Sequence, residues 1–206
     1  MWPMGRFLEF VFPCGSANDM LIHCTKIACE RLKIMPPDAK GEYDPLYSWR
    51  MHVLQSGRER IAVFMNDASR YCVVIAGIRA RHWQCIPELF IEHLRQVMLA
   101  DGIDHGAISA YFAAAGEMAY FLNHDRQMTS WLNKTCEAVW WGFERFSSAL
   151  DVSLFVCHFL AGSNSEKTYW VPSDRFKELI LPKDNERKKV QIFGVIWDGH
   201  TIPRTN

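Results

Sequence analysis

RIAVFMNDASRYCVVIAGI, Arg60 to Ile78, holds two runs rich in β-branched and aromatic residues, Ile61 to Met65 and Tyr71 to Ala76. Between them lie Asn66, Asp67, Ala68 and Ser69, and Asn, Asp and Ser side chains bond back to nearby backbone in turns. The pattern predicts a β-hairpin. Both runs are apolar on both faces, as inner strands are when each face of the sheet is covered. On the N-terminal side, Tyr47 to Gln55 alternates, with Trp49, Met51 and Val53 on one face and Arg50, His52 and Leu54 on the other. Ser56-Gly57 turns that segment into the hairpin, so three consecutive strands form a meander. The expected fold class is α+β: an antiparallel sheet built on this central meander and packed by three or more helices.

The rest of the chain supplies the helices. Met20 to Cys24 reads as a short strand, with Thr25 as the N-cap of a helix over Lys26 to Leu32. Pro36 to Pro45 is rich in breakers and predicts a surface loop. Pro87 opens a helix with Leu89, Phe90, Leu94, Val97 and Met98 on its apolar face, and Gly102 ends it. Asp104 caps a second helix, about Gly106 to Ala115, and Met118 to Leu122 is a strand. Asp125 caps the longest helix, about Arg126 to Ser147, in which Met128, Trp131, Leu132, Thr135, Val139, Phe143 and Phe146 recur at helical steps. Trp140 and Trp141 widen its apolar arc beyond one stripe, so a second helix or a partner is expected to cover them. Val152 to Leu160 reads as a strand, Ser173 as the cap of a short helix, and Val190 to Trp197 as one further possible strand.

A chain of 206 residues is long enough for one sizeable core. A single domain is expected over residues 20–182, with an N-terminal extension, 1–19, and a C-terminal tail, 183–206. Basic and acidic residues balance, 23 against 23, so no global field draws the chain to nucleic acid or to an anionic membrane. The local cluster Arg187, Lys188 and Lys189 is diluted by Asp184 and Glu186. Most of the eight Trp must help fill the core, but so many in a chain of this size leave room for a partner surface. The seven cysteines include no Cys-x-x-Cys pair, which argues against a disulfide framework or a zinc knuckle and fits a reducing cytoplasm. Near the N-terminus Glu9 and Pro13 interrupt the apolar run, so export is not expected. No run approaches the roughly 18 apolar residues of a membrane span.

Three motifs resemble a bacterial family of small proteins known only as a domain of unknown function. They are Met20-Leu21-Ile22-His23-Cys24-Thr25-Lys26, Phe64-Met65-Asn66-Asp67 leading to Tyr71, and Asn123-His124-Asp125-Arg126 leading to Asn133, with Tyr169 and Pro172 near the end. The family pattern runs close to M-x-L-H-C-T-K-K, F-x-N-D-x-x-x-Y and N-D-R-x-x-x-G-x-x-N. Here Ile27 stands in place of the second lysine, His124 falls inside the third motif, and Ser130 or Trp131 stands where glycine is usual. The resemblance spans about residues 20 to 180; it implies a bacterial cytoplasmic protein with one α+β domain, and no activity.

Two turns carry the polar residues from which a site would be built. Asn66, Asp67 and Arg70 sit at the hairpin tip, and Asn123, Asp125 and Arg126 at a strand-to-helix turn. In one sheet these turns can converge at an edge, where the long helix would offer its first amides to an anion. Turn formation and capping explain the same residue types without a ligand. His23 and Cys24 are adjacent on a strand and face opposite ways, so they are no base and nucleophile. There is no G-x-S-x-G, P-loop or dinucleotide fingerprint, and no metal or cofactor is expected. The expected function is non-enzymatic: a bacterial or phage-borne protein that binds a macromolecular partner, a protein, with Trp140 and Trp141 as the partner surface. The alternative is a small-molecule or nucleotide-binding enzyme at the two turns. A second alternative is a nucleic-acid binder through the C-terminal basic cluster.

Overall fold

The computed structural model describes residues 19–38, 43–163 and 168–181. Met20–Cys24 (β1) is followed by Lys26–Leu32 (α1) and then by three strands in succession, Ser48–Ser56 (β2), Glu59–Asn66 (β3) and Cys72–Ile75 (β4). A 3-10 turn, Ala80–Cys85, leads into Ile86–Ala100 (α2) and His105–Ala114 (α3), and Met118–Leu122 (β5) returns to the sheet. Arg126–Phe143 (α4) and Ala149–Cys157 (α5) come next. Ala161–Ser163 (β6) and Thr168–Trp170 (β7) form a small antiparallel ribbon before Pro172–Ile180 (α6).

The five-stranded sheet has the order β4-β3-β2-β1-β5. Its meander, β2-β3-β4, is antiparallel as expected. The sheet as a whole is mixed rather than antiparallel, because β1 runs parallel to both β2 and β5. Short turns reverse the chain within the meander, whereas the β1-to-β2 connection carries α1 and β5 arrives after α2 and α3. Crossovers long enough to hold a helix bring the chain back in its original direction.

Capping sets the helix starts. Thr25, Asp104 and Asp125 accept from the amides of Ala28, Ala107 and Met128, each satisfying an amide that has no partner within its helix. At the end of α2, Gly102 takes φ +82°, which favours glycine over side chains with a Cβ.

Two layers cover the sheet. On one face Phe90 of α2 packs against Trp49 and Phe64, at ring distances of 5.1 and 4.3 Å, and Phe176 of α6 lies 6.1 Å from Trp49. On the other, Thr135 of α4 donates to the Met65 sulfur at 3.2 Å. The α5 helix shields β4, the edge strand. The amide of Val74 donates to Ser153 Oγ at 2.9 Å, and that of Cys72 reaches Cys157 Sγ at 3.3 Å. Backbone groups that would otherwise offer a pairing template are thereby occupied.

The segment read as a strand over Val152 to Leu160 is helical up to Cys157. Ser148 caps it by accepting from the Asp151 amide, and Val152, Ser153, Val156 and Cys157 form its buried face at helical spacing. An almost unbroken apolar run hides that period, since length and flanks are poor guides for short buried segments. The α4 helix accordingly ends at Phe143, before Ser147, and a new helix begins after Ser148. In α6 the N-cap is Val171 rather than Ser173, with Pro172 as first residue. The expected strand Val190 to Trp197, the cluster Arg187, Lys188 and Lys189, and residues 1–18 lie outside the described residues. Among those described, no helix is long and apolar enough to cross a membrane.

The α4 and α5 helices meet closely at Gly142, where an added Cβ would lie 2.8 Å from Val152 Cγ1 and 3.3 Å from Phe155 Cδ1. Gly142→Ala is expected to cost about 1–3 kcal/mol, as overpacked cores do. Urea denaturation measures it, and an unchanged midpoint would mean that the helices pack less closely.

Candidate functional site

The two polar turns do meet, through a residue that sequence reading left out of the site. Arg50 of β2 directs Nε and Nη2 to both carboxylate oxygens of Asp67 at 2.8–3.1 Å. Its Nη1 donates to Asn123 Oδ1 at 2.8 Å, and Nη2 also reaches the Tyr43 hydroxyl at 3.2 Å. Both charged side chains are buried, at 2 % and 1 % exposure. Burial opposes the charge on Arg50, but the hydrogen bonds and charge of Asp67 outweigh it and hold the guanidinium above its usual range. Burial pushes the Asp67 carboxyl up, while Arg50 opposes that shift. Beside them His23 packs its ring 5.1 Å from Tyr43 and 6.0 Å from Phe121. Desolvation, then the Arg50 charge, lowers His23 to about 3, so it is neutral at physiological pH.

The remaining turn residues serve the chain itself. Asn66 Oδ1 accepts from the amides of Ala68 and Ser69 and from Ser69 Oγ, and its Nδ2 donates to the carbonyls of Leu46 and Ser48. Arg70 takes φ +66°, points its guanidinium over Trp131 at 3.8 Å and Trp170 at 5.0 Å, and donates to the Gly162 carbonyl at 2.8 Å. Burial, then the charge of Arg175, brings Arg70 down to about 10. Asp125 caps α4, and Arg126 lies exposed at its first position. The hairpin tip is therefore a buried junction.

An open surface lies elsewhere, on α4 and α5. Trp140 and Trp141 are 36 % and 47 % exposed, so α5 covers only part of the wide apolar arc of α4. Trp141 begins a chain of rings in which Trp141 to Phe159, Phe159 to Phe155 and Phe155 to Phe146 are each separated by 5.7 Å. Arg145 lies over Phe155 at 5.4 Å. Phe146, Asp151, Leu154, Phe155, His158 and Phe159 line a groove of about 330 Å³.

One polar rim residue is held by a group that sequence reading missed. Asp101, at the C-terminus of α2, accepts at Oδ1 from His158 Nε2 at 2.7 Å and from Lys177 Nζ at 3.2 Å. At Oδ2 it accepts from Tyr71 at 3.1 Å and from Ser173 at 2.7 Å. A carboxylate offers about four lone-pair sites, and here four donors use them. The His158 side chain remains 53 % exposed, so its ring is fixed by one nitrogen while its other edge faces the groove. No local motif in the sequence links residues 101, 158, 173 and 177. Among the described residues no cluster of three His, Cys, Asp or Glu side chains is placed to hold a metal ion.

A family model described as a domain of unknown function (DUF6933) matches residues 21–175, and the chain belongs to that family. It is the family that the three sequence motifs resemble. None of the curated proteins matches the chain.

Removing one partner of a buried ion pair strands the other, so Asp67→Ala is expected to cost about 3–5 kcal/mol. Asp125→Ala, which removes only a cap, is expected to cost about 1 kcal/mol. Chemical denaturation of both variants checks the order, and equal losses would contradict it. For His23, whose folded pKa of about 3 lies below the unfolded value of about 6.5, the unfolded chain binds more protons between those limits. Stability should fall as pH drops from about 6.5 toward about 3. His23→Asn should flatten that slope, and an unaltered slope would exclude a buried neutral His23.

Proposed function

We propose that this member of the family acts by binding another protein through the aromatic face of α4 and α5, without catalysing a reaction. The carrying observation is the chain of rings in which exposed Trp141, Phe159 and Phe146 meet through the half-buried Phe155, beside the groove. Large apolar patches rimmed by polar groups are uncommon on monomers and mark interaction sites. Interfaces draw most of their binding energy from a few aromatic and Arg anchors, and this face carries both, with Arg145 stacked on Phe155. The partner segment best suited is an amphipathic helix. Asp151, Leu154 and Phe155 lie three and four residues apart on α5, and His158 and Phe159 extend that row just past its end, a ridge of the kind a second helix packs against.

Small-molecule or nucleotide chemistry at the Asn66-Asp67 and Asp125-Arg126 turns has less support. Asp67 and Asn66 already place their polar groups on Arg50 and on the turn backbone, and Asp125 occupies the start of α4. A bacterial cytoplasmic setting rests on the motif resemblance and on free cysteines, of which Cys24, Cys29, Cys72, Cys136 and Cys157 are buried.

Affinity purification from the native host, followed by reconstitution with the purified partner, tests the reading. Trp141→Ala and Phe159→Ala should each weaken that complex by about 2 kcal/mol, roughly 30-fold. Being surface truncations, they should alter unfolding stability by only about 0.5 kcal/mol. Equal affinity of variant and parent for the purified partner would overturn the assignment of this face. A strongly salt-dependent gel shift with nucleic acid would instead favour the basic cluster.

A further inference from the structure

Two arginines share one indole at the end of the sheet where its two covering layers meet. Arg70, at the hairpin tip, places its guanidinium carbon 3.8 Å from the Trp131 ring of α4 and 5.0 Å from the Trp170 ring of β7. Arg175 of α6 places its own 4.5 Å from the same Trp170 ring. The two indoles stand edge to face, 6.2 Å apart, and Trp170 is pinned by Nε1, which donates to the Ser69 carbonyl at 2.8 Å. Indole faces attract guanidinium groups and so draw both to one place. They carry no net charge, however, with which to cancel the repulsion between the two cations.

Arg50 and Arg70 are buried alike, at 2 % and 5 % exposure, yet only Arg50 has a carboxylate. Arg70 Nη2 donates to the Gly162 carbonyl, while Nε is buried without an acceptor. Among the described residues no carboxylate pairs with Arg70 or with the exposed Arg175, and Asp174 and Glu178, close to Arg175 on α6, form no ion pair with it. Glycine or asparagine takes the left-handed conformation of residue 70 at lower cost, so the turn by itself does not call for an arginine. A third source of positive potential adjoins the pair. Helix α6 starts at Pro172, two residues after Trp170, and no side chain caps it. The amides of Ser173 and Asp174 therefore have no partner within the helix, and the positive pole of its dipole lies at this end.

We infer that this junction binds a phosphate group, free or as a small monoester, with Arg70 as the buried wall of the site, Arg175 as its exposed rim and the first amides of α6 as a further set of donors. Two guanidiniums without a counter-charge favour a dianion over a carboxylate or a halide. A phosphate monoester carries nearly two negative charges at neutral pH and presents three acceptor oxygens, which the planar fork of arginine matches. Bound there, it supplies to Arg70 the compensation that Asp67 supplies to Arg50, and it joins the hairpin tip to β7 and α6. Tyr169, 67 % exposed, offers a ring surface beside Trp170 on which an aromatic ester can rest. The site uses no residue of the α4 and α5 aromatic face and does not rest on the protein-binding reading.

Isothermal titration calorimetry of the full chain with inorganic phosphate, phenyl phosphate and adenosine monophosphate, at fixed pH and ionic strength, tests the inference. Saturable binding of inorganic phosphate at least as tight as that of the esters identifies the free ion as the ligand. Tighter binding of phenyl phosphate or adenosine monophosphate identifies an ester whose ring meets Tyr169. In either case Arg175→Glu should abolish binding, and Arg175→Lys, which keeps the charge but loses the fork, should weaken it about tenfold. Residue 175 is exposed, so both variants should unfold in urea at the parent's midpoint. Arg58→Glu makes the same change of charge in the turn between β2 and β3, at the opposite end of the meander, and should leave binding unaltered. The inference is overturned if none of the three ligands binds saturably at millimolar concentration, if Arg175→Glu binds as the parent does, or if Arg58→Glu weakens binding as much as Arg175→Glu.

Discussion

The burial of an ion pair at a hairpin tip governs how this domain closes. Arg50 and Asp67 are almost wholly removed from water, and desolvating two charges is costly unless their geometry and remaining hydrogen bonds compensate. Compensation comes from three separate parts of the chain: β2 contributes Arg50, the end of β3 contributes Asp67, and the end of β5 contributes Asn123. Tyr43 closes the fourth side. Bringing these groups together requires β5 to lie beside β1 in the observed parallel register, with Asn123 just beyond the pair Cys24 and Leu122. A slip of one residue in that strand would turn its side chains to the other face and leave the guanidinium short of an acceptor.

The same tip reaches outward through its next residues. Arg70 sits against Trp131 of α4 and Trp170 of β7, and Tyr71 donates to Asp101. Asp101 in turn gathers His158 from the end of α5 and Ser173 and Lys177 from α6. A turn of six residues, Asn66 to Tyr71, is thus linked to the strand edge on one side and to the covering helices on the other. Shielding of the β4 edge by Ser153 and Cys157 depends on that placement of α5.

Placing α5 for those tasks leaves its opposite face uncommitted. Phe159 is exposed and continues the aromatic surface begun by Trp141, with Phe155 half-buried between it and α4. The polar rim there is held in place, because a buried carboxylate orients His158. Holding a side chain in place beforehand reduces the ordering cost of association. The fold therefore separates two kinds of polar group: Asp67 and Asn123 satisfy Arg50 at the hairpin tip, and His158 is supported from behind while facing outward.

Local chemistry in the sequence was enough to place the meander, the caps at Thr25, Asp104 and Asp125, the breadth of the α4 apolar arc and the family motifs, since each depends on residues a few positions apart. It did not reveal the parallel register of β1, the helical nature of Ala149 to Cys157, or the Asp101 cluster. Crossover direction follows from where helices dock. A mostly apolar run shows its period only weakly, and residues 71, 101, 158, 173 and 177 become neighbours only once four elements have packed. Asn66, Asp67 and Arg70 show the division most clearly. The Asn66 and Asp67 side chains favour a turn in the sequence itself, whereas the burial of all three, and with it their role as a structural junction rather than an exposed tip, is decided by Arg50, Trp131 and Trp170 arriving from distant segments.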